Sequence, residues 1–246
     1  MTTPPDDFDS TRTPSAGASG GYEVVWAPDP AVSDPSGDLP ERFELVRDLA
    51  DGVAGPVFGV RDRDSDSRLV RLEIVPSRLT GVDELRALLN EEVRNARKLV
   101  SAHIVRTRDI GNLDDGRFFV VSEIVEGETL RARLHREGEL HPREALEIAR
   151  QVLLGLGGAH AEHIVHGALD TSCIWLAGNA PKSDENPHGI AARIADFGLA
   201  SFVARANGSV IGDAVIDVRA VGGLLREMNP GAEVAPFAEL CTRGEA

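Results

Sequence analysis

The sequence predicts an α+β fold in two lobes, a small strand-rich lobe followed by a mainly helical one. Three observations carry this. "RLVRLEIV", Arg68 to Val75, alternates between two faces, as a half-buried strand does. Asp83–Val100 and Pro142–Glu162 repeat apolar residues at three- and four-residue spacing, as amphipathic helices do. The order along the chain is strands, one helix, strands, and then mainly helices. The cleft between two such lobes is the first place to look for a site.

Composition bounds the reading. A chain of 246 residues, 42% hydrophobic and 27% charged, can bury one substantial core or two small lobes. The net charge of −14 argues against a nucleic acid or an anionic membrane as partner, and no basic run offsets it. Two cysteines, Cys173 and Cys241, make no disulfide framework and lack metal-ligand spacing, which fits a reducing compartment. No apolar run reaches the roughly 18 residues of a membrane span. The acidic start, Met1 to Ser10, lacks the basic and apolar regions of a signal peptide. The expectation is a soluble, cytoplasmic protein.

Residues 1–40 are rich in Pro, Asp, Ser, Thr, Gly and Ala, and bury too little to offset ordering entropy, so they read as a disordered acidic tail. Within it "YEVVW", Tyr22 to Trp26, is either a docking motif, a short strand packed on the domain or merely a sticky patch. Thr3, Thr11 and Thr13 lie in "TPPD" and "STRTPS", and are either phosphosites or plain linker. The strand-rich lobe is assigned to 41–125 and the helical lobe to 126–246.

In the first lobe, "FELVRDLADGVAGPVFGVRD" gives two strands around a glycine-containing turn. On the next strand Val70, Leu72 and Ile74 share one face, while Arg71 and Glu73, of opposite charge, share the other. In the helix Asp83–Val100, Glu92 falls inside the apolar stripe of Leu85, Leu88, Leu89, Val93, Ala96 and Val100. It either seeks a cation or reaches solvent at the helix edge. Strands are expected near His103–Ile110 and Arg117–Val125, then the helix Pro142–Glu162 with proline in its first turn. "HIVHGALDTSCIWL", His163 to Leu176, reads as an apolar strand, a polar turn and a second apolar strand. A polar insertion, the short strand "ARIADFG" and a last apolar helix over Asp217–Met228 complete the chain.

Seven of these segments, in order over Phe43–Met228, resemble the eukaryotic-like serine/threonine protein kinase family found in bacteria. "LADGVAGPVFGV" is similar to the glycine-rich loop, "VRLEIV" to the strand with the nucleotide lysine, and "NEEVRNARKLVSAHIV" to the regulatory helix with its glutamate. "VVSEIVEGETL" resembles the interlobe hinge, "HIVHGALDTSCIWL" the catalytic loop, "IADFGLAS" the metal-binding motif and "DVRAVGGLLREM" the central helix of the large lobe. The resemblance implies a protein-kinase-like fold and a nucleotide cleft formed by Gly52, Gly55, Val57, Arg71, Glu73, Glu92, Glu123 and Val125.

The parts needed for phosphoryl transfer are largely replaced. Ala50 stands at the first loop glycine, and Pro56, which has no N–H for phosphate, follows the last. Glu73 stands at the lysine position, opposite Glu92. Two carboxylates about 4 Å apart repel by roughly 4 kcal/mol at an effective dielectric of 20, so one must move, protonate or find a cation. Arg71 is the nearest cation, and it either fills the nucleotide pocket or points to solvent. In the catalytic turn Ala168 replaces the base, Gly167 the arginine, Asp170 the lysine and Cys173 a magnesium ligand. Loss of a positioned base alone lowers rate by about 10²- to 10⁴-fold. Asp170 replaces a cation and would repel phosphate.

His166, Phe197, Gly198 and Asp217 keep the family's architectural residues, and Asp196 is left as a weak metal ligand. Fewer than 20 residues separate Gly198 from Asp217, with no recognisable activation-loop phosphosite. Only 18 follow Met228, so the large lobe is expected to be curtailed, exposing apolar surface near Val221, Leu224 and Leu225 for a partner or second copy to cover. These replacements imply a pseudokinase that acts as a protein-binding scaffold or regulatory module, with no cofactor and at most weak ATP and magnesium binding. The alternatives are a divergent kinase using Asp196 and Arg71, and an ATP-binding switch without turnover.

Overall fold

The protein is described by a computed structural model over residues 39–49, 52–178 and 189–244. The tail with Tyr22–Trp26, Thr3, Thr11 and Thr13, the loop residue Ala50 and most of the polar insertion lie outside the described residues.

The first lobe is a five-stranded antiparallel sheet, β1 (Phe43–Asp48), β2 (Val57–Asp62), β3 (Arg68–Val75), β4 (Thr107–Asn112) and β5 (Phe118–Glu123), in spatial order β1-β2-β3-β5-β4. Phe43 of β1 meets Phe119 of β5 edge-on, with ring centroids 5.4 Å apart. Three strand spacings would separate those strands by about 14 Å in a flat sheet, so this sheet is curled nearly into a barrel. Phe58, Val60, Val70, Leu72, Ile74, Phe119 and Val121 fill the inside of the curl. On the other face Val75, Phe118 and Val120 pack against Leu89 and Val93 of helix α1 (Asp83–Ala96). The alternation of β3 therefore turns Arg71 and Glu73 toward the interlobe cleft.

Helix α1 ends at Ala96 rather than Val100, which is 79% exposed. Strand β5 stops at Glu123, before Val125, and β4 starts at Thr107 rather than His103.

The second lobe comprises β6 (Glu128–Thr129), α2 (Leu130–Glu137), α3 (Pro142–Ala161), β7 (Ile174–Ala177), β8 (Ala191–Ile194), α4 (Leu199–Ala206), α5 (Val215–Met228) and α6 (Ala235–Arg243), with a small antiparallel sheet in the order β6-β7-β8. Thr129 caps α2 by accepting from the Ala132 N–H at 3.1 Å, and Pro142 opens α3 where no N–H is needed. The core joins Ile148, Val152 and Leu156 of α3 to Ile174 and Ile194 of the small sheet and to α5.

Sequence periodicity missed α2, α4 and α6, each of nine residues or fewer, too short for several turns of repeat. Of the two strands expected in His163–Leu176 only the second forms; the segment 163–165 is turn and loop, with the His163 and Ile164 N–H groups bonded back to the His160 and Ala159 carbonyls. The apolar surface expected near Val221, Leu224 and Leu225 is also corrected, since all three are buried. Helix α6 supplies the cover, burying Val234, Ala238 and Cys241 with α5 in the same core. Gly222 lets the two helices approach, because a side chain there would meet Thr242 and the Ala238 carbonyl.

Candidate functional site

Strand register builds the cleft. Glu73 pairs with Val57 of β2 and Val120 of β5, so its side chain is fixed in the middle of a sheet beneath the glycine-containing loop. Arg71, two residues earlier on the same face, donates to Glu73 at 2.5 Å and to Asp196 of the second lobe at 3.0 Å. The open question about Arg71 is thereby answered: it lies in the cleft. Glu73 in turn accepts from the backbone N–H groups of Ala54 at 2.6 Å and Gly55 at 3.3 Å. A side chain at Gly52 would overlap the Glu73 carboxylate, so the loop closes onto this group only because Gly52 lacks one.

Three charges thus share one dry compartment. Burial opposes the Arg71 charge, but Asp196 and Glu73 outweigh it and hold the guanidinium above its ordinary pKa. Burial raises Glu73 to about 7; Arg71 opposes that rise and the Asp196 charge adds to it. Asp196 has φ of +63° and Gly198 of +81°, a turn that aims the Asp196 carboxylate back at β3. A side chain at Gly198 would strike the Glu92 carbonyl of α1.

Glu92 does not face Glu73. It accepts from Ser201 Oγ at 2.8 Å and pairs with Arg205 at 3.2 Å, both on α4. Leu199, Phe202 and Val203 of α4 complete the contact by packing with Leu89 and Val93 of α1. The repulsion expected between the two glutamates is avoided by separation, each with its own arginine.

The catalytic-turn segment is held from below. Asp217 accepts from the N–H groups of His166 and Gly167, both at 2.8 Å, and bonds His160 Nε2 at 2.8 Å. His166 is fully buried, with Nε2 3.0 Å from the Ala195 carbonyl and its ring edge-on to Phe197 at 4.9 Å. Above this frame the chemistry is sparse. Ala168 is exposed and brings no polar side-chain atom. Asp170 accepts from the Ser172 and Cys173 N–H groups and pairs with Arg131 at 2.8 Å, so it serves the turn itself. Cys173 is buried, and burial, followed by the charges of Asp196 and Asp170, pushes its thiol well above the ordinary range. Ile211 lies against Gly167, where a side chain would meet it, and the φ of +78° suits glycine.

At the hinge, Glu123 is committed to Arg193 of β8, which donates to it at 2.8 and 2.9 Å and also bonds the Ile104 carbonyl. The Arg193 bonds hold the Glu123 carboxyl below its usual range. Arg193, Arg205 and Ser201 were missed by sequence reading, because their partners lie 70 to 113 positions away. Val125 lies just beyond β5 and is half-buried.

The profile of the protein kinase domain matches residues 43–215, more than half of the chain. This chain belongs to the protein kinase domain family. It is 33% identical over 124 residues to the serine/threonine-protein kinase PknD of Mycobacterium tuberculosis, covering 50% of this chain and 18% of that protein. To the serine/threonine-protein kinase PrkC of Bacillus subtilis it is 29% identical, covering 65% of this chain and 23% of PrkC. To PknL of M. tuberculosis it is 31% identical, covering 72% and 42%. The chain therefore spans less than half the length of these curated relatives. The crystal structure of the M. tuberculosis PknI kinase domain shares its fold, with a TM-score of 0.68 at 20% identity over 86% of this chain and 90% of that one.

The ATP and magnesium implied by the kinase family do not fit the residues present. The loop amides that would meet phosphate are bonded to Glu73, the lysine position is a carboxylate, and Asp196 is bonded to Arg71. No group of three or more His, Cys, Asp or Glu side chains able to hold a metal occurs among the described residues. Among those residues no helix is long and apolar enough to cross a membrane.

Proposed function

We propose that this protein-kinase-like domain does not transfer phosphate and acts as a cytoplasmic protein-binding scaffold or regulatory module in signalling. One observation carries the reading: Arg71 bridges Glu73 and Asp196 across the cleft while Glu73 takes up the loop amides. A carboxylate takes up the loop amides that the family turns to phosphate, and a guanidinium takes up Asp196, which the family turns to a metal, so the groups that would hold nucleotide are already engaged. Ala168 adds that no base awaits a hydroxyl acceptor.

The test is calorimetric titration of the chain with ATP, with and without magnesium, alongside a radiolabel transfer assay. No saturable heat up to millimolar ATP and no transfer are expected. Magnesium-dependent transfer that disappears in Asp196→Ala would overturn the reading in favour of a divergent kinase. Saturable binding without transfer would replace it with a nucleotide switch.

A further inference from the structure

The sequence has no basic run, yet the fold assembles one. Arg68 at the start of β3 and Arg106 and Arg108 around the start of β4 come together on the same side of the sheet. The register places them: Val70 pairs with Glu123, and the Glu123 N–H bonds the Arg106 carbonyl at 2.9 Å, so β3, β5 and β4 meet there in order. A bulge between Thr107 and Asp109 sets Arg108 beside Arg106 on β4. Arg68 and Arg106 are exposed, and none of the three forms an ion pair among the described residues. Arg108 Nε is buried with no hydrogen-bond partner among them. Burial and then Arg68 do most to lower the Arg108 pKa and Arg106 adds to them, while Glu123 and Asp62 oppose the shift without reversing it, so the three arginines feel one another. In a chain of net charge −14, a cluster of arginines left unpaired is a local surplus that an anionic partner would relieve.

The chain itself brings such a partner to the edge of the patch. Arg42 is tied to Asp62 of β2 at 2.7 Å and to Asp109, the neighbour of Arg108, at 2.7 Å. Residues 1–38 carry Asp6, Asp7, Asp9, Glu23, Asp29, Asp34 and Asp38 against a single Arg12. Asp38 and Asp34 are four and eight residues before Arg42, so they are confined within at most about 14 and 28 Å of it. That tether gives the segment a high effective concentration at the patch without any large contact.

We propose that the acidic N-terminal segment, residues 1–38, docks in cis on the cationic surface formed by Arg68, Arg106 and Arg108. The interaction is ionic.

Trp26 supplies the readout, since Trp175 is the other tryptophan and can be removed by Trp175→Phe. Acrylamide, a neutral quencher, reports how far Trp26 is covered in the full chain. Docking predicts quenching that rises about twofold when salt is increased from 0.05 to 1 M, as screening shortens the reach of charge. The same rise is expected at low salt in R68E/R106E/R108E. It is expected again in a chain carrying Glu23→Gln, Asp29→Asn, Asp34→Asn and Asp38→Asn, changes confined to the tail that leave the folded lobes untouched. Equal quenching in the parent and in the tail variant at low salt overturns the proposal, whatever the stability of the arginine variant. Protection that grows with protein concentration also overturns it, because the tail would then be docking on a second copy.

Discussion

Two buried charge clusters, the frame around Asp217 and the cleft around Arg71, sit in one molecule and are satisfied in different ways. Asp217 is bonded to two backbone N–H groups and a histidine that hold the turn after α3. Arg71 is bonded to two side chains, one from each lobe. The first cluster serves groups that any chain with this turn must satisfy, because a buried N–H without a partner is costly. The second cluster ties charge to charge across the lobes, and within it only Glu73 also serves backbone, by accepting from the Ala54 and Gly55 N–H groups. Its members can change identity so long as their charges still balance and an acceptor for those two amides remains.

The largest effect that would break this comparison is expected for Arg71→Ala. It leaves the Glu73 and Asp196 carboxyls buried without a cation and should cost about 3–5 kcal/mol in denaturant unfolding. Replacing the set together, Arg71→Met with Glu73→Gln and Asp196→Asn, should restore stability to within about 1 kcal/mol, since neutral groups of similar size can replace a buried ionic cluster and Gln keeps an acceptor for the Ala54 and Gly55 N–H groups. If the triple variant stays as unstable as Arg71→Ala, the cleft is as fixed as the frame and the distinction fails.

Asp217→Ala should cost about 2–4 kcal/mol, from two stranded backbone N–H groups and the lost His160 contact, with no rescue by charge rebalancing elsewhere. A thermal unfolding series that includes Asp217→Asn, which keeps an acceptor, separates hydrogen bonding from charge.

A smaller effect follows from pH. Glu73 has its carboxyl raised from 4.5 to about 7 in the folded state. Between those values the folded chain holds a proton that the unfolded chain has released. The resulting stabilisation is complete below about pH 4.5 and is lost as pH rises through about 7. Glu73→Gln should flatten this part of the stability profile, measured by denaturant midpoints across the range.

The smallest change is expected for Glu92→Gln. The partly exposed pair with Arg205 is worth at most about 1 kcal/mol. A loss several times larger would show that the α1–α4 contact, rather than the cleft, holds the lobes in this arrangement.

Much of this was legible in the sequence. The alternation of β3 put Arg71 and Glu73 on one face, and the long repeats of α1 and α3 showed both helices, because these signals are local and periodic. His166, Phe197 and Asp217 could be singled out through motif resemblance. The exchange of partners could not. Glu92 lies 113 positions from Arg205, and Glu123 lies 70 from Arg193; no spacing rule connects them. Helix α6 was invisible for a related reason: its stability comes from covering α5, and its nine residues are too few to show a period.

The sequence by itself determined the two-lobed α+β order and the residue types, alanine at 168 and glutamate at 73, that stand within the motif-like segments, since each is a matter of residue type at a place in a local pattern. Only the tertiary structure decided that Arg71 turns inward to Asp196, that the loop amides close on Glu73, that α6 covers the large lobe, and that Arg68, Arg106 and Arg108 form one surface. Those outcomes depend on which distant strands and helices become neighbours, and charge balance across such contacts is a property of the folded arrangement.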